Sequence, residues 1–345
     1  MQIHTFRARA GLLVAIAAAF YGPARAGDGS ISAAQLVPRA AQRSHEPTEH
    51  WRFVDENRFY LQRPPGSLTG AYRTQGMATD GHRWFFSWQF GLEITDNQFN
   101  SILRNSSIVP PSTIIPGIPA DLLAQGLNHI GDIDYHDGII YASLDSTAGY
   151  MNGHVALYSA ADLTYTGVSY PLIGAPSNPN HDVASWVAVD DHNRGYGKEY
   201  QLGNTINVYR LDGWTFDHAL TIDLAVERIQ GAKVHGDWLY MSSDNATHSI
   251  YRANLRSGHV EELFRLPTPA GHLEVEGIGL REEHGTCERE DTRDARRDCH
   301  QQEESEGSLN IYVEMVVDPD NSGDDLSNLD IHVSLFHYRL ERERE

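Results

Sequence analysis

The chain has 345 residues, a formal charge of -20, 10% aromatic residues and only two cysteines. So acidic a chain is repelled by phosphate backbones, which argues against a nucleic-acid partner. Two lysines, Lys198 and Lys233, stand against 25 arginines (27 basic residues minus 2).

Residues 1–26 read as a secretory signal: Arg7 and Arg9 precede an apolar run over 11–20, and Ala24-Arg25-Ala26 is a small-x-small cleavage site. The run is shorter than the roughly 20 residues that span a bilayer, and an uncleaved anchor is the alternative. Removing Arg7, Arg9 and Arg25 leaves a mature charge near -23 (-20 minus 3). The expected location is the periplasm or the extracellular space, with no membrane span. Residues 27–48, rich in Ala, Gly, Ser and Pro, read as a flexible leader, leaving 49–345 as a single all-β domain.

Internal repetition gives the fold. Five segments share a small polar cluster, a short apolar strand, a turn and an aromatic-rich strand: 74–87 (TQGMATDGHRWFFS), 129–143 (HIGDIDYHDGIIYAS), 181–190 (HDVASWVAVD), 230–242 (QGAKVHGDWLYMS) and 274–280 (EVEGIGL), the last resuming at LNIYVEM. Their markers Gln75, His129, Asp182, Gln230 and Glu276 lie 54, 53, 48 and 46 residues apart by subtraction. A period near 50 fits a four-stranded propeller blade. Third strands (HVALYSA, TINVYRL, SIYRANL) and fourth strands (TGVSYPL, DHALTID, HVEELFRL) follow in alternating patterns. The fifth repeat has three strands only. The pattern therefore predicts a five-bladed β-propeller closed by residues 51–61, pairing near 331–340; six blades are the alternative if 51–72 holds a further blade. In the first blade, alternation predicts Trp84 and Phe86 on one buried face, with Phe85 and Trp88 outward.

Cys287 and Cys299 lie in one polar insertion, 281–307, and in an oxidising compartment predict a local disulfide. A metal site of Cys287, Cys299 and His300 is the weaker option. Asp318, Asp320, Ser322 and Asp324 follow the opening of a calcium loop, D-x-D-x-S-G, but the twelfth position is Leu329 instead of the closing Glu. Ordinary turn chemistry uses the same residues.

The chain resembles two groups of exported propellers. Thr74-Gln75-Gly76 and the D-G-x-I-Y-A pattern at residues 137–142 resemble the glutamine cyclotransferase family. Glu276-Gly277-Ile278 resembles the gluconolactonase and paraoxonase group. The resemblance implies a small-molecule site at the channel mouth and does not by itself carry an activity.

Inner strands of a propeller converge on one mouth, which predicts a polar cluster of Gln75, His129, Asp132, His181, Asp182, Gln230, Glu274 and Glu276. Glu276, Asp132 and Asp182, with Gln75 and Gln230 as neutral oxygens, are candidate ligands for a divalent cation, calcium first. His129 and His181 are candidate general bases, and Glu276 a candidate acid/base group. The leading expectation is a metal-supported hydrolase of an ester or lactone. The alternatives are a glutaminyl cyclotransferase-like enzyme and a non-catalytic propeller that binds protein or glycan. Oligomeric state leaves no mark in the sequence.

Overall fold

The computed structural model describes residues 49–61, 68–109, 113–148, 151–173, 184–198, 200–283, 308–320 and 330–342. The expected signal, leader and disulfide lie outside these residues, as do His181, Asp182, Ser322 and Asp324.

Five four-stranded antiparallel sheets form the blades of a β-propeller. Blade 1 is β2 (Gly76–Thr79), β3 (Trp84–Trp88), β4 (Gly91–Thr95) and β5 (Ser101–Arg104). A hairpin of β6 (Ser107–Val109) and β7 (Thr113–Ile115) and a short helix α1 (Ala120–Ala124) lead to blade 2. Blade 2 holds β8 (His129–His136), β9 (Ile139–Ser146), β10 (Met151–Ser159) and β11 (Tyr165–Pro171). Blade 3 holds β12 (Ala188–Val189), β13 (Arg194–Gly197), β14 (Gly203–Arg210) and β15 (Thr215–Val226). Blade 4 holds β16 (Ile229–His235), β17 (Trp238–Ser243), β18 (Ser249–Asn254) and β19 (Val260–Arg265).

Blade 5 takes three strands from the C-terminal end, β20 (His272–Glu283), β21 (Ser308–Asp318) and β22 (His332–Arg342), and its outermost from the start of the domain, β1 (Glu49–Tyr60). The β1–β22 register runs from Glu49↔Arg342 to Tyr60↔His332, as the missing fourth strand requires. Residues 51–61 thus close the ring and do not begin a sixth blade. The pairing covers the outer edge of β22 with β1, so that the first and last strands of the domain are held in one blade.

Each blade buries both faces against its neighbours. Phe85, Leu92, Ile130, Ile133 and Ala142 join blades 1 and 2, whereas Met77, Trp84, Phe86, Tyr312 and Leu335 join blades 5 and 1. This corrects the expectation for β3: Trp88, two residues after Phe86, shares the buried face of Trp84 and Phe86, and Phe85 on the opposite face is buried as well. Period-2 alternation exposes a face only in a sheet covered on one side.

Small residues let the inner strands meet on the axis. β8 lies against the inner strands of all four other blades. A Cβ on Gly277 would stand 2.4 Å from the Gly76 Cα, and one on Gly131 would stand 2.3 Å from the Ser185 carbonyl oxygen. Serines on the second strands staple three of the blades to the next. Ser87 Oγ donates to the Gly131 carbonyl (2.7 Å), Ser143 Oγ to the Ser185 carbonyl (3.3 Å) and Ser242 Oγ to the Glu276 carbonyl (2.5 Å). In blade 5 the second-strand side chain beside Gly277 is that of Glu314, not serine.

The closing seam has its own clasp. Arg73 is fully buried, with its guanidinium between the Phe59 and Phe86 rings at 4.3 and 4.8 Å. Its Nε donates to Glu93 (2.6 Å), and Arg104 binds the other Glu93 oxygen at 2.6 and 2.9 Å. Phe59 belongs to β1, so this cluster ties the first strand of the domain to blade 1.

Candidate active site at the strand-start mouth

The inner strands begin at one end of the axis, and there the structure assembles most of the described residues expected at the mouth. His129 is the first residue of β8, one place ahead of the glycine register, because Gly131 and not Ile130 faces the neighbouring blade. The offset carries its imidazole to Gln75 of blade 1: Nε2 lies 2.9 Å from Gln75 Oε1, and Nδ1 lies 2.8 Å from Asp145 Oδ1. Gln75 Nε2 in turn approaches Glu276 Oε1 of blade 5 at 3.5 Å. A polar line thus runs Asp145–His129–Gln75–Glu276 across three blades, with every member buried. Because amide nitrogen and oxygen are interchangeable in shape, the same line accommodates either a charged imidazole beside an ionised Glu276 or a neutral imidazole beside a protonated one.

The electrostatics favour the protonated form of Glu276. Burial pushes the Glu276 carboxyl well above the usual carboxylate range, and the nearby Glu274, Asp244, Glu314 and Asp132 push it further. Burial and Asp244 raise Glu274 to about 8, only partly offset by Arg228. Burial and Asp132 raise Glu314 well above its ordinary value. Both Glu314 side-chain oxygens and Glu274 Oε2 are buried without a hydrogen-bond partner. Gln230 donates to Glu274 Oε1 at 3.4 Å. On the rim, Asp244 pairs with Arg228 and accepts the Val275 amide at 3.0 Å; Arg228 lies over the Tyr200 ring at 5.6 Å.

Asp132, expected at the mouth, sits deeper. Its Oδ1 accepts the Met77 amide (3.1 Å), and its Oδ2 accepts the Ala232 amide (3.0 Å) and Lys233 Nζ (2.6 Å). It joins blades 1, 2 and 4 and separates the mouth from the far end of the axis. Sequence reading missed Asp145, Glu314 and Lys233 as partners of this cluster. Asp145 and Glu314 are second-strand residues whose sequence marks only alternation, and Lys233 was visible only as one of two lysines.

Among the described residues no group of three His, Cys, Asp or Glu side chains is arranged around a common metal position. Asp318 ends β21 in a buried place and Asp320 follows in a turn; the rest of that proposed loop lies outside the described residues. No helix among the described residues is long and apolar enough to cross a membrane.

No family model and no curated protein matches the chain. Among solved structures it is similar to Sqt1 of Saccharomyces cerevisiae, at 11% identity and a TM-score of 0.34, over 75% of this chain and 56% of that one. The chain therefore spans about half the length of that structure. The five blades stand on the strand pairing itself, not on this likeness.

Proposed function

We propose that the strand-start mouth is an acid–base site for acyl transfer on a small molecule, working in the periplasm or outside the cell, with Glu276 as the catalytic group. The observation that carries this is a buried Glu276 at the axis, surrounded by carboxylates and touched by Gln75, so that burial and like charges favour its protonated form. A carboxyl poised near the working pH can give and take a proton in one turnover. Asp145 and Gln75 occupy the two ring nitrogens of His129, so His129 serves to hold Gln75 against Glu276.

Cyclisation of a glutaminyl N-terminus is the reaction to test first, in line with the resemblance at Thr74-Gln75-Gly76. The substrate amine attacks its own side-chain carboxamide carbon. Glu276 gives its proton to the departing nitrogen and recovers one from the attacking nitrogen, and ammonia leaves. A buried, water-poor mouth favours the internal amine over water as nucleophile. Ester and lactone hydrolysis would use the same acid with water attacking.

A second reading has its own observation. The two partnerless Glu314 oxygens and the Glu274 Oε2 suit a hard cation as well as protons. Glu276, Glu314 and Gln75 would hold such an ion, which would polarise a substrate carbonyl; Asp132, already bound to Lys233, does not fit that set.

The test is turnover of glutaminyl peptides, lactones and esters by wild type, Glu276→Gln and Glu314→Gln, with and without added calcium. The acid–base reading expects Glu276→Gln to lose about 10²–10⁴-fold in rate, with no dependence on calcium. Turnover that calcium stimulates in wild type and no longer stimulates in Glu314→Gln supports the cation reading instead. Equal turnover by Glu276→Gln and wild type would refute both.

A further inference from the structure

The other end of the axis, where the inner hairpins turn, carries a separate cavity of about 410 Å³ lined by Asp134, His136, Asp190, His192, Lys233 and His235. It shares no residue with the mouth, and the Asp132–Lys233 pair stands between the two. We propose that this cavity binds small polar aldehydes or ketones and that Lys233 captures them as an imine.

Three observations converge on Lys233. Lys233 lines the cavity although its side chain is only 5% exposed, so the amine is shielded from bulk water in a residue that borders an accessible space. Its Nζ is 2.6 Å from Asp132 Oδ2 and 2.9 Å from the Ala232 carbonyl, which fixes the amine and sets a proton acceptor against it. The chain also uses arginine for 25 of its 27 cationic side chains. A guanidinium can neutralise a carboxylate, but only an amine has a lone pair to offer a carbonyl carbon.

The step balances without an oxidant or reductant. Lys233 passes a proton to Asp132, and its lone pair forms a bond to the carbonyl carbon, giving a carbinolamine. Asp132 returns the proton to the carbinolamine hydroxyl, which leaves as water. The product is a protonated imine opposite an ionised Asp132, so the original ion pair is preserved in charge. Asp134 at the floor accepts the Val189 amide at 2.9 Å, and Asp190 accepts the Tyr196 hydroxyl at 2.8 Å. An acidic lining of this kind selects uncharged hydroxyaldehydes over anionic oxo acids.

The chain supplies its own control. Lys198 is also buried, but its Nζ bonds to the Gln201 carbonyl (2.8 Å) and it does not line the cavity. The full-length protein is incubated with glycolaldehyde and cyanoborohydride, which reduces any imine to a stable secondary amine, and the labelled lysines are located by peptide mass mapping. Labelling at Lys233 is expected to run at least about tenfold faster than at Lys198, to slow in Asp132→Asn, and to fall when glyoxylate replaces glycolaldehyde. Lys233→Arg keeps the charge facing Asp132 and should melt like wild type while losing the cavity adduct. Wild-type Lys233 that labels no faster than Lys198 would overturn the proposal, whatever the variants do. Because the mouth contributes nothing to this readout, the outcome is independent of the Glu276 reading.

Discussion

Two sets of buried glutamates are treated in opposite ways. Glu93, in blade 1, is gripped by Arg73 and Arg104 and sealed by the Phe59 and Phe86 rings. Glu276 and Glu314, in blade 5, are as deeply buried, but Glu276 has other carboxylates for company and neither Glu314 oxygen has a hydrogen-bond partner. A buried carboxylate with matched cations is a structural part, costly to break. One left among like charges must hold a proton or a cation, and such a group is the raw material of a site. The contrast lies across the closing seam, so stability and chemistry are built side by side.

The contrast is broken most forcefully at the clasp. Arg73→Met should destabilise the fold by about 3–5 kcal/mol, because Glu93 loses a buried partner and the β1 contact through Phe59 is weakened. Denaturant unfolding followed by tryptophan fluorescence measures it. A loss under about 1 kcal/mol would mean that Arg104 alone satisfies Glu93.

A smaller effect of opposite sign is expected at Glu314. Every other described second strand with a residue at this place against the next inner strand uses serine: Ser87, Ser143 and Ser242. Glu314→Gln removes a carboxylate and keeps its shape. It should leave stability unchanged or raise it by about 1 kcal/mol, measured by the same unfolding curves. Destabilisation beyond that would show that Glu314 has a partner of its own in solution.

The mildest effect is a pH dependence. A carboxyl with a raised pKa in the folded state holds a proton that the unfolded chain has released. Its contribution is therefore favourable at low pH and is lost as pH rises from the ordinary value near 4.5 through the folded value, about 8 for Glu274. Asp132, raised by burial to about 7 despite Lys233, acts in the same direction. The melting temperature should fall across that window, and a Glu274→Gln/Glu276→Gln double variant should flatten the fall. Half-buried Asp80, held low by Arg83 and by backbone amides against the opposing effect of burial, acts in the opposite direction and only at more acidic pH.

The blade repeat was legible because each inner strand must be narrow at the axis and each hairpin must turn sharply; Gly76, Gly131, Gly231 and Gly277 record the first demand. The three-strand count of the last repeat sufficed to place residues 51–61 beside β22. Distances along the axis were not legible. Repeat alignment treats Gln75, His129 and Asp132 as near neighbours, whereas the one-residue offset of β8 turns His129 toward Gln75 and drops Asp132 to Lys233. Second-strand partners such as Asp145 and Glu314 were hidden because a buried charge has no periodic signature of its own. The exposure expected of Phe85 failed because a propeller covers both faces of every blade, and that of Trp88 failed because Trp88 shares the face of Trp84 and Phe86.

The claim on which the account turns is that Glu276 keeps its proton at neutral pH. Carboxyl-carbon NMR of protein labelled at glutamate, assigned with Glu276→Gln, reads this directly. The account predicts a Glu276 resonance still in its protonated position at pH 7, moving only at higher pH and shifting when Gln75→Ala removes its neighbour. A Glu276 signal that has already titrated near 4.5, like an exposed glutamate, would contradict it.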